Sequence, residues 1–121
     1  MYKIIFYHDK NGYEPVNAYI DTLSVRKDKD SRIKYNKIRE YIRALQEYGT
    51  ATGEPYMKHI DGEIWELRPL RDRIFFAAWD GNSFIILHHF MKKTQKTPQR
   101  EIEKAQRELE DFRKKEAHYG I

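Results

Sequence analysis

The chain has 121 residues, which is enough for one hydrophobic core, and we expect a single domain over residues 1–121. Its 23 Lys and Arg against 19 Asp and Glu give a mild formal charge of +4, and the absence of cysteine excludes disulfides and thiolate metal sites. Neither an apolar signal segment nor an apolar run of membrane-spanning length occurs, so we expect a cytoplasmic protein without a membrane partner.

The first predicted elements are a strand and a short helix. Residues 2–7 are β-branched and aromatic, and the run from Asp9 to Gly12 is typical of a turn. Pro15 suits the first turn of a helix. The apolar spacing after it predicts an amphipathic helix that buries Val16, Tyr19, Ile20 and Leu23.

A second, longer helix is predicted between a cap at Asp28 to Asp30 and an end at Gly49. Its apolar stripe consists of Ile33, Ile38, Ile42 and Leu45. Its opposite face is basic and includes Arg32, Lys37, Arg39 and Arg43. These four side chains either solvate an ordinary surface helix or contact the phosphates of a nucleic acid.

Two strands are predicted next, over residues 56–60 and 63–68. Alternation along the second strand places Trp65 and Leu67 in the core, so we expect Glu66 and Arg68 to emerge on the far face. Pro69 prevents simple continuation of this strand and turns the chain towards the next one.

The centre of the chain is a predicted hairpin of residues 74–79 and 84–87, joined by the turn residues 80–82. Residues 74–79 have no polar side chain on either face, which predicts a central strand. Arg73, at the mouth of this strand, must keep its guanidinium in water or paired with an anion. His88 and His89 are adjacent on a strand and point to opposite faces, so we expect no metal site.

The last predicted element is a helix with Thr97 as its N-cap and Pro98 at its first position. Its core face is predicted to consist of Ile102, Ala105, Leu109 and Phe112, which recur at spacings of three and four.

Cations gather at or near the ends of the predicted strands, with Glu66 among them. They are Lys58, His59, Arg68, Arg71, Arg73, Lys92, Lys93 and, slightly further on, Lys96. Together they suit phosphoryl transfer in RNA, where a 2′-hydroxyl attacks the adjacent phosphorus. Without a metal or cofactor, such a site needs fixed positive donors for the phosphate oxygens and a group that exchanges protons.

Four stretches of the sequence carry a family resemblance. They are GEIWELR at residues 62–68 with DRIFF at 72–76, LHHFMKKTQKTP at residues 87–98, and EIEKA at residues 101–105. With these motifs the chain resembles the HigB branch of the RelE/ParE toxins, which are often described as phage-derived proteins. The residue at the position of His89 is usually glycine in that motif.

The resemblance implies an α+β, RelE-like fold. It would have an antiparallel-rich sheet of four to five strands, two N-terminal helices packed on the sheet and a C-terminal helix. It also implies the toxin of a type II toxin–antitoxin pair that cleaves mRNA on the ribosome. Such a toxin is neutralised by a HigA-type helix-turn-helix antitoxin, and only through the antitoxin would it contact operator DNA.

Site residues follow from the same resemblance. Arg73 matches the family's strand arginine that stabilises the scissile phosphate, Arg68 matches the arginine of WELR, and Lys92 and Lys93 match the basic pair after the hairpin. Lys58 and His59 match a segment where relatives place a lysine or histidine. Independently of the resemblance, the charge pattern makes Arg71, Lys96 and the basic residues of the second helix the expected RNA contacts.

Other functions remain open on the sequence alone. The same superfamily contains gyrase-poisoning toxins of the ParE type, which need no RNA chemistry. The basic helix at residues 32–43 also suits a non-catalytic module that binds RNA or DNA. Finally, the charges could serve only to keep an ordinary domain in solution.

Overall fold

The structure is a computed structural model that describes residues 1–119, so the last two residues of the expected 1–121 domain lie outside the described part. Five strands and three α-helices follow one another along the chain. They are β1 (Lys3–Phe6), α1 (Pro15–Val25), α2 (Lys29–Tyr48), β2 (Met57–Asp61), β3 (Ile64–Leu67), β4 (Asp72–Trp79), β5 (Ser83–Met91) and α3 (Gln99–Tyr119). A 3₁₀ turn, Gly49–Thr52, connects α2 to the segment before β2.

The sheet has the order β1-β5-β4-β3-β2. Strands β2 to β5 pair antiparallel, while β1 pairs parallel with β5, from Lys3 opposite Ser83 to Phe6 opposite Ile86. The expected α+β class and antiparallel-rich sheet are therefore confirmed, with one parallel edge that makes the sheet mixed. The predicted central strand is also confirmed, because β4 lies in the middle of the five.

Helices cover both faces of the sheet. On one face, α1 and α2 bury side chains against β2 to β5, with Val16, Ile38 and Phe76 in that layer. On the other face, α3 packs on Phe75 and Ala77. The core face predicted for α3 is confirmed, since all four of its residues are buried.

The turn between β4 and β5 forms as the sequence predicts. Asp80 and Gly81 both have positive φ, at 50° and 80°, a backbone conformation that Asp and Gly tolerate better than most residues. Further along the hairpin, Phe75 is opposite His88 but Phe76 is opposite Ile86, so Leu87 is an extra residue in a β-bulge.

Three local predictions about individual side chains are wrong. Ile33 is 42% exposed, because it lies off the stripe of α2 that faces the sheet. Thr97 does not cap α3. Its hydroxyl donates to Glu66, and the first helical N–H groups donate to the carbonyl of Pro98. Glu66 does not emerge into solvent but is 1% exposed, since the segment leading into α3 covers that face of the sheet.

Candidate functional site

The predicted strand-end cations meet at one end of the sheet. Antiparallel pairing brings four strand termini to the same end of the sheet, namely the start of β2, the end of β3, the start of β4 and the end of β5. Lys58 is directly opposite Glu66, and Glu66 is opposite Phe75. Arg73 is opposite Phe90. Because Phe75 and Phe90 pack under α3, these charged side chains start from the α3 face of the sheet.

Glu66 is the centre of this cluster. Its Oε1 lies 3.5 Å from Nε of Arg68 and 3.7 Å from Nε of Arg73, and its Oε2 accepts a 3.5 Å hydrogen bond from the hydroxyl of Thr97. The arginine side chains are 25% and 12% exposed. Of the two alternatives expected for the Arg73 guanidinium, water or an anion, the structure shows an anion, and one buried carboxylate lies beside two arginines.

Burial dominates the electrostatics of the cluster. It raises the pKa of Glu66, although Arg73 and Arg68 act in the opposite direction. Burial also lowers the pKa of Arg73, against the stabilising charge of Glu66. The carboxylate of Glu66 therefore does not fully compensate the desolvation of the Arg73 guanidinium, and an added anion such as a phosphate would be favoured beside it.

The guanidinium of Arg73 is held in place by the backbone. Its Nη1 donates 2.8 Å hydrogen bonds to the carbonyls of Leu70 and Asp72. Leu70, whose carbonyl accepts one of these bonds, has a φ of 58°, which is uncommon for a bulky residue. The loop between β3 and β4 thus fixes the orientation of the guanidinium before any ligand is bound.

Lys92 adds a cation with altered acidity. Its pKa is lowered by burial and then by the nearby charge of Arg73, with smaller contributions from Arg68 and Lys58. Its backbone N–H donates to the carbonyl of Arg71 at 2.9 Å, which extends the pairing of β4 with β5. A lysine whose ammonium form is disfavoured by its neighbours gives up a proton more readily than an isolated one.

These groups border an open depression of about 440 Å³. Its lining consists of Leu70, Arg71, Arg73, Lys92, Lys93, Thr94 and Gln95. Lys93 and Arg71 are exposed there, and Lys96 follows in the same exposed segment. Of the predicted catalytic set, the structure brings together Arg73, Arg68, Lys92 and Lys58, with Lys93 at the border of the depression.

His59 is placed elsewhere. It is opposite Trp65, with ring centroids 5.3 Å apart, on the face of β2 that is turned away from Lys58 and Glu66. Its Nε2 lies 2.6 Å from the carbonyl of Gly62 in the β2–β3 turn. Because side chains alternate along a strand, Lys58 and His59 point to opposite faces of the sheet. His59 therefore does not contact the cluster.

The basic residues of α2 do not join the cluster either. Arg39 and Arg43 line a groove between α1 and α2, on the opposite face of the sheet from Glu66 and Arg73. Arg39 lies over the ring of Tyr35, and Arg43 pairs with Glu47 at 3.7 Å. Lys37 and Arg32 are also on the helix surface. The Nζ of Lys37 lies 3.4 Å from Oε2 of Glu40, and Arg32 is exposed.

A second polar network lies behind the site on the α1 face. Buried Asp72 accepts 2.9 Å hydrogen bonds from Tyr19 and from His89, whose rings stack 3.7 Å apart. These bonds lower the pKa of Asp72 against the effect of burial. The network ties α1 and β5 to the residue that immediately precedes Arg73, a link that the sequence did not reveal.

The two neighbouring histidines point to opposite faces, as predicted. His89 contacts Asp72 on the α1 side, whereas His88 lies 3.0 Å from Glu101 of α3, and burial lowers its pKa. Among the side chains that the structure describes, those of residues 1–116, no three His, Cys, Asp or Glu come together as a possible metal site.

The site residue that sequence reasoning undervalued is Glu66. The motif drew attention to it, yet strand alternation alone predicted an exposed side chain. The available signal was its place just before two arginines in sequence, since Arg68 and Arg73 follow it at the two ends of the short connection between β3 and β4.

Fold and site together define a small α+β domain with an anion-attracting cluster at one open end of its sheet. The chain belongs to the family of phage-derived Gp49-like proteins (DUF891), whose family model matches residues 21–110. This family is associated with the toxins of toxin–antitoxin systems. The matched residues include every strand of the cluster and most of α3. No curated protein matches the chain.

No helix among residues 1–119 is both long enough and apolar enough to cross a membrane.

Proposed function

We propose that this protein is the toxin of a type II toxin–antitoxin pair, with a RelE-like fold of the HigB branch. It would act as a metal-independent endonuclease that cleaves mRNA on the ribosome and so stops translation. The observation that carries the proposal is the pair of arginines held by buried Glu66 at the open end of the sheet. Membership in the Gp49-like family supports the toxin assignment.

In the proposed reaction, the 2′-oxygen of a ribose forms a bond to the adjacent phosphorus, and the bond from phosphorus to the 5′-oxygen of the next nucleotide breaks. The products are a 2′,3′-cyclic phosphate and a free 5′-hydroxyl. The 2′-hydroxyl loses one proton to a base, and the 5′-oxygen gains one from an acid, so no cofactor or metal is consumed.

Arg73 and Arg68 are proposed to stabilise the charge that develops on the nonbridging oxygens. The guanidinium of Arg73 is fixed by its backbone hydrogen bonds before substrate arrives, which is the condition under which such stabilisation is most effective. Lys92 holds the RNA backbone or donates the proton to the 5′-oxygen, consistent with its lowered pKa. Lys93 assists at the border of the depression, and Lys58 accepts or returns a proton. Glu66 positions the two arginines.

The proposed partners follow from this activity. They are the ribosome with its mRNA and a HigA-type helix-turn-helix antitoxin, with operator DNA contacted only through the antitoxin. Arg71 and Lys96 are the proposed RNA contacts next to the cluster. An activity on ribosomes would also place the protein in the cytoplasm.

The substitution Arg73→Ala tests the assignment. Loss of one preorganised donor to a developing oxyanion reduces turnover by roughly 10²- to 10³-fold, so induced expression of the variant should no longer arrest growth. Primer extension should show mRNA ends after induction of the wild type and almost none with the variant. Arg113→Ala, which removes an exposed arginine of α3 paired with Glu63, is the matched control and should remain toxic.

The variant must also be folded for the result to count. Far-UV circular dichroism and co-purification with the antitoxin should therefore match the wild type. Full toxicity of Arg73→Ala would contradict the proposed role. Growth arrest with a DNA-damage response and intact mRNA would instead identify a gyrase-poisoning toxin.

A further inference from the structure

We propose that the ring of Tyr56 is a stacking surface for a nucleobase next to the scissile phosphate. This inference rests on the proposed RNA chemistry and extends it, because the cluster of cations accounts for the phosphate but not for any base. A nucleotide held only by its phosphate can still rotate, whereas stacking of its base restricts that motion.

Tyr56 lies beside the arginines. Its carbonyl accepts a 2.9 Å hydrogen bond from the N–H of Arg68, which continues the β2–β3 ladder by one residue pair. The backbone of Tyr56 is therefore directly across from the arginine whose Nε contacts Glu66. If a phosphate is bound at Arg68 and Arg73, the base of the same nucleotide lies within reach of Tyr56.

The ring of Tyr56 is supported from behind and open in front. Tyr41 of α2 packs against it with ring centroids 5.0 Å apart and an interplanar angle of 59°. Tyr41 also lies near the guanidinium of Arg73. Tyr56 nevertheless remains 39% exposed. This arrangement keeps one ring in a fixed position with surface left for a flat ligand.

The chemistry of the surroundings favours RNA over an apolar ligand. Arg68 is the backbone partner of Tyr56, and Lys58 follows two residues later in β2. An aromatic surface interleaved with cations is the usual design for binding single strands. Stacking accepts every base, since each has a π-face. Tyr56 is therefore inferred to strengthen binding and to orient the nucleotide without selecting a particular sequence.

Another exposed tyrosine provides the matched control. Tyr48 is 64% exposed at the end of α2. It lies near the β4–β5 turn, because Tyr2 bonds to Gln46 and the adjacent Lys3 bonds to Asn82. That end of the sheet is opposite to the one that holds Arg68 and Arg73, so Tyr48 is an exposed tyrosine that lacks the neighbouring cations.

The test measures cleavage by the full-length toxin on translating ribosomes with a defined mRNA, for Tyr56→Phe, Tyr56→Leu and Tyr48→Leu. Stacking on an aromatic side chain is worth enough that its loss should raise KM roughly 5- to 150-fold. We expect this for Tyr56→Leu, with kcat within about twofold of the wild type. Tyr56→Phe, which keeps the ring, and Tyr48→Leu should behave as the wild type.

A second readout follows the base itself. An mRNA with 2-aminopurine beside the cleavage position, and a 2′-O-methyl group that prevents cleavage, should lose fluorescence on binding wild type and Tyr56→Phe. It should keep more of that fluorescence with Tyr56→Leu. If leucine lowers the melting temperature, the comparison uses Tyr56→Trp, which should quench at least as strongly as the wild type.

The outcomes separate this inference from the proposed function. Equal KM and equal quenching for Tyr56→Leu and the wild type would overturn the stacking role while leaving mRNA cleavage intact. Equal impairment of Tyr56→Phe and Tyr56→Leu would also overturn it, because the hydroxyl rather than the ring would then matter. Absence of cleavage by the wild type itself would remove the proposed function instead.

Discussion

Glu108 gives the sharpest prediction about the stability of this protein. It lies on α3, is 9% exposed, and its Oε1 has no hydrogen-bond partner among the described residues. Burial raises its pKa to about 7, against the opposing charges of Lys104 and Arg107, while Asp111 and Glu101 act in the same direction as burial.

The magnitude follows from linkage between protonation and folding. The pKa in the folded state is above the ordinary value of 4.5, so the folded protein favours the protonated carboxyl. The resulting stabilisation is complete below pH 4.5 and is lost as the pH rises through about 7. A pKa difference of this size corresponds to about 3 kcal/mol of unfolding free energy at most.

The substitution Glu108→Gln keeps the size of the side chain and removes its titration. At about pH 9 the variant should be more stable than the wild type by up to about 3 kcal/mol, and at about pH 4 the two should be nearly equal. Urea unfolding at several pH values between these limits measures the difference. Comparing the two proteins at each pH cancels the titration of all other groups that the substitution does not disturb.

Glu103→Gln is the control, because Glu103 is exposed on the same helix and should change stability little at any pH. A stability difference between Glu108→Gln and the wild type that is the same at both ends of the pH range would refute the reasoning. So would a variant that is less stable than the wild type at high pH.

Two further predictions concern the core and the cluster. Ile38→Ala should lower the unfolding free energy by about 2–5 kcal/mol because Ile38 is fully buried, whereas Ile33→Ala on the same helix should change it by less than about 0.5 kcal/mol. If urea titrations showed similar losses of unfolding free energy for the two variants, the buried face that the structure assigns to α2 would be contradicted. Glu66→Ala should cost about 3 kcal/mol and reduce mRNA cleavage, since it leaves Arg73 partly buried without a carboxylate. Glu63→Ala is the control, because it removes an exposed carboxylate that also pairs with an arginine, and it should have almost no effect on stability. Equal losses of unfolding free energy in Glu66→Ala and Glu63→Ala would argue against a role for burial.

Much of the fold was readable because it depends on short-range patterns. The β4–β5 hairpin follows from an apolar run, a turn segment and a second apolar run. The buried face of α3 follows from helical spacing. Asp28 caps α2 through its hydrogen bond to the N–H of Ser31, as its position before the helix predicts. Each of these features needs only a few neighbouring residues.

The errors arose where distant segments meet. Alternation correctly placed Glu66 on the face opposite to Trp65, but it could not tell that the approach to α3 would cover that face. The same alternation, applied to β2, would have placed the side chains of Lys58 and His59 on opposite faces of the sheet. The bond of Asp72 to Tyr19 joins residues 53 positions apart, and local periodicity carries no information about such a pair.

The parallel pairing of β1 with β5 has a consequence for how the protein is made. Lys3 leaves the ribosome early, but its partner Ser83 is synthesised much later. The first strand therefore cannot pair with β5 until the two helices and the rest of the sheet have been translated. Contacts between such distant residues form slowly, because a long loop must close before they yield any stabilisation. Strands β2 to β5 pair with sequence neighbours, so the cation cluster can assemble before β1 adds the outer edge.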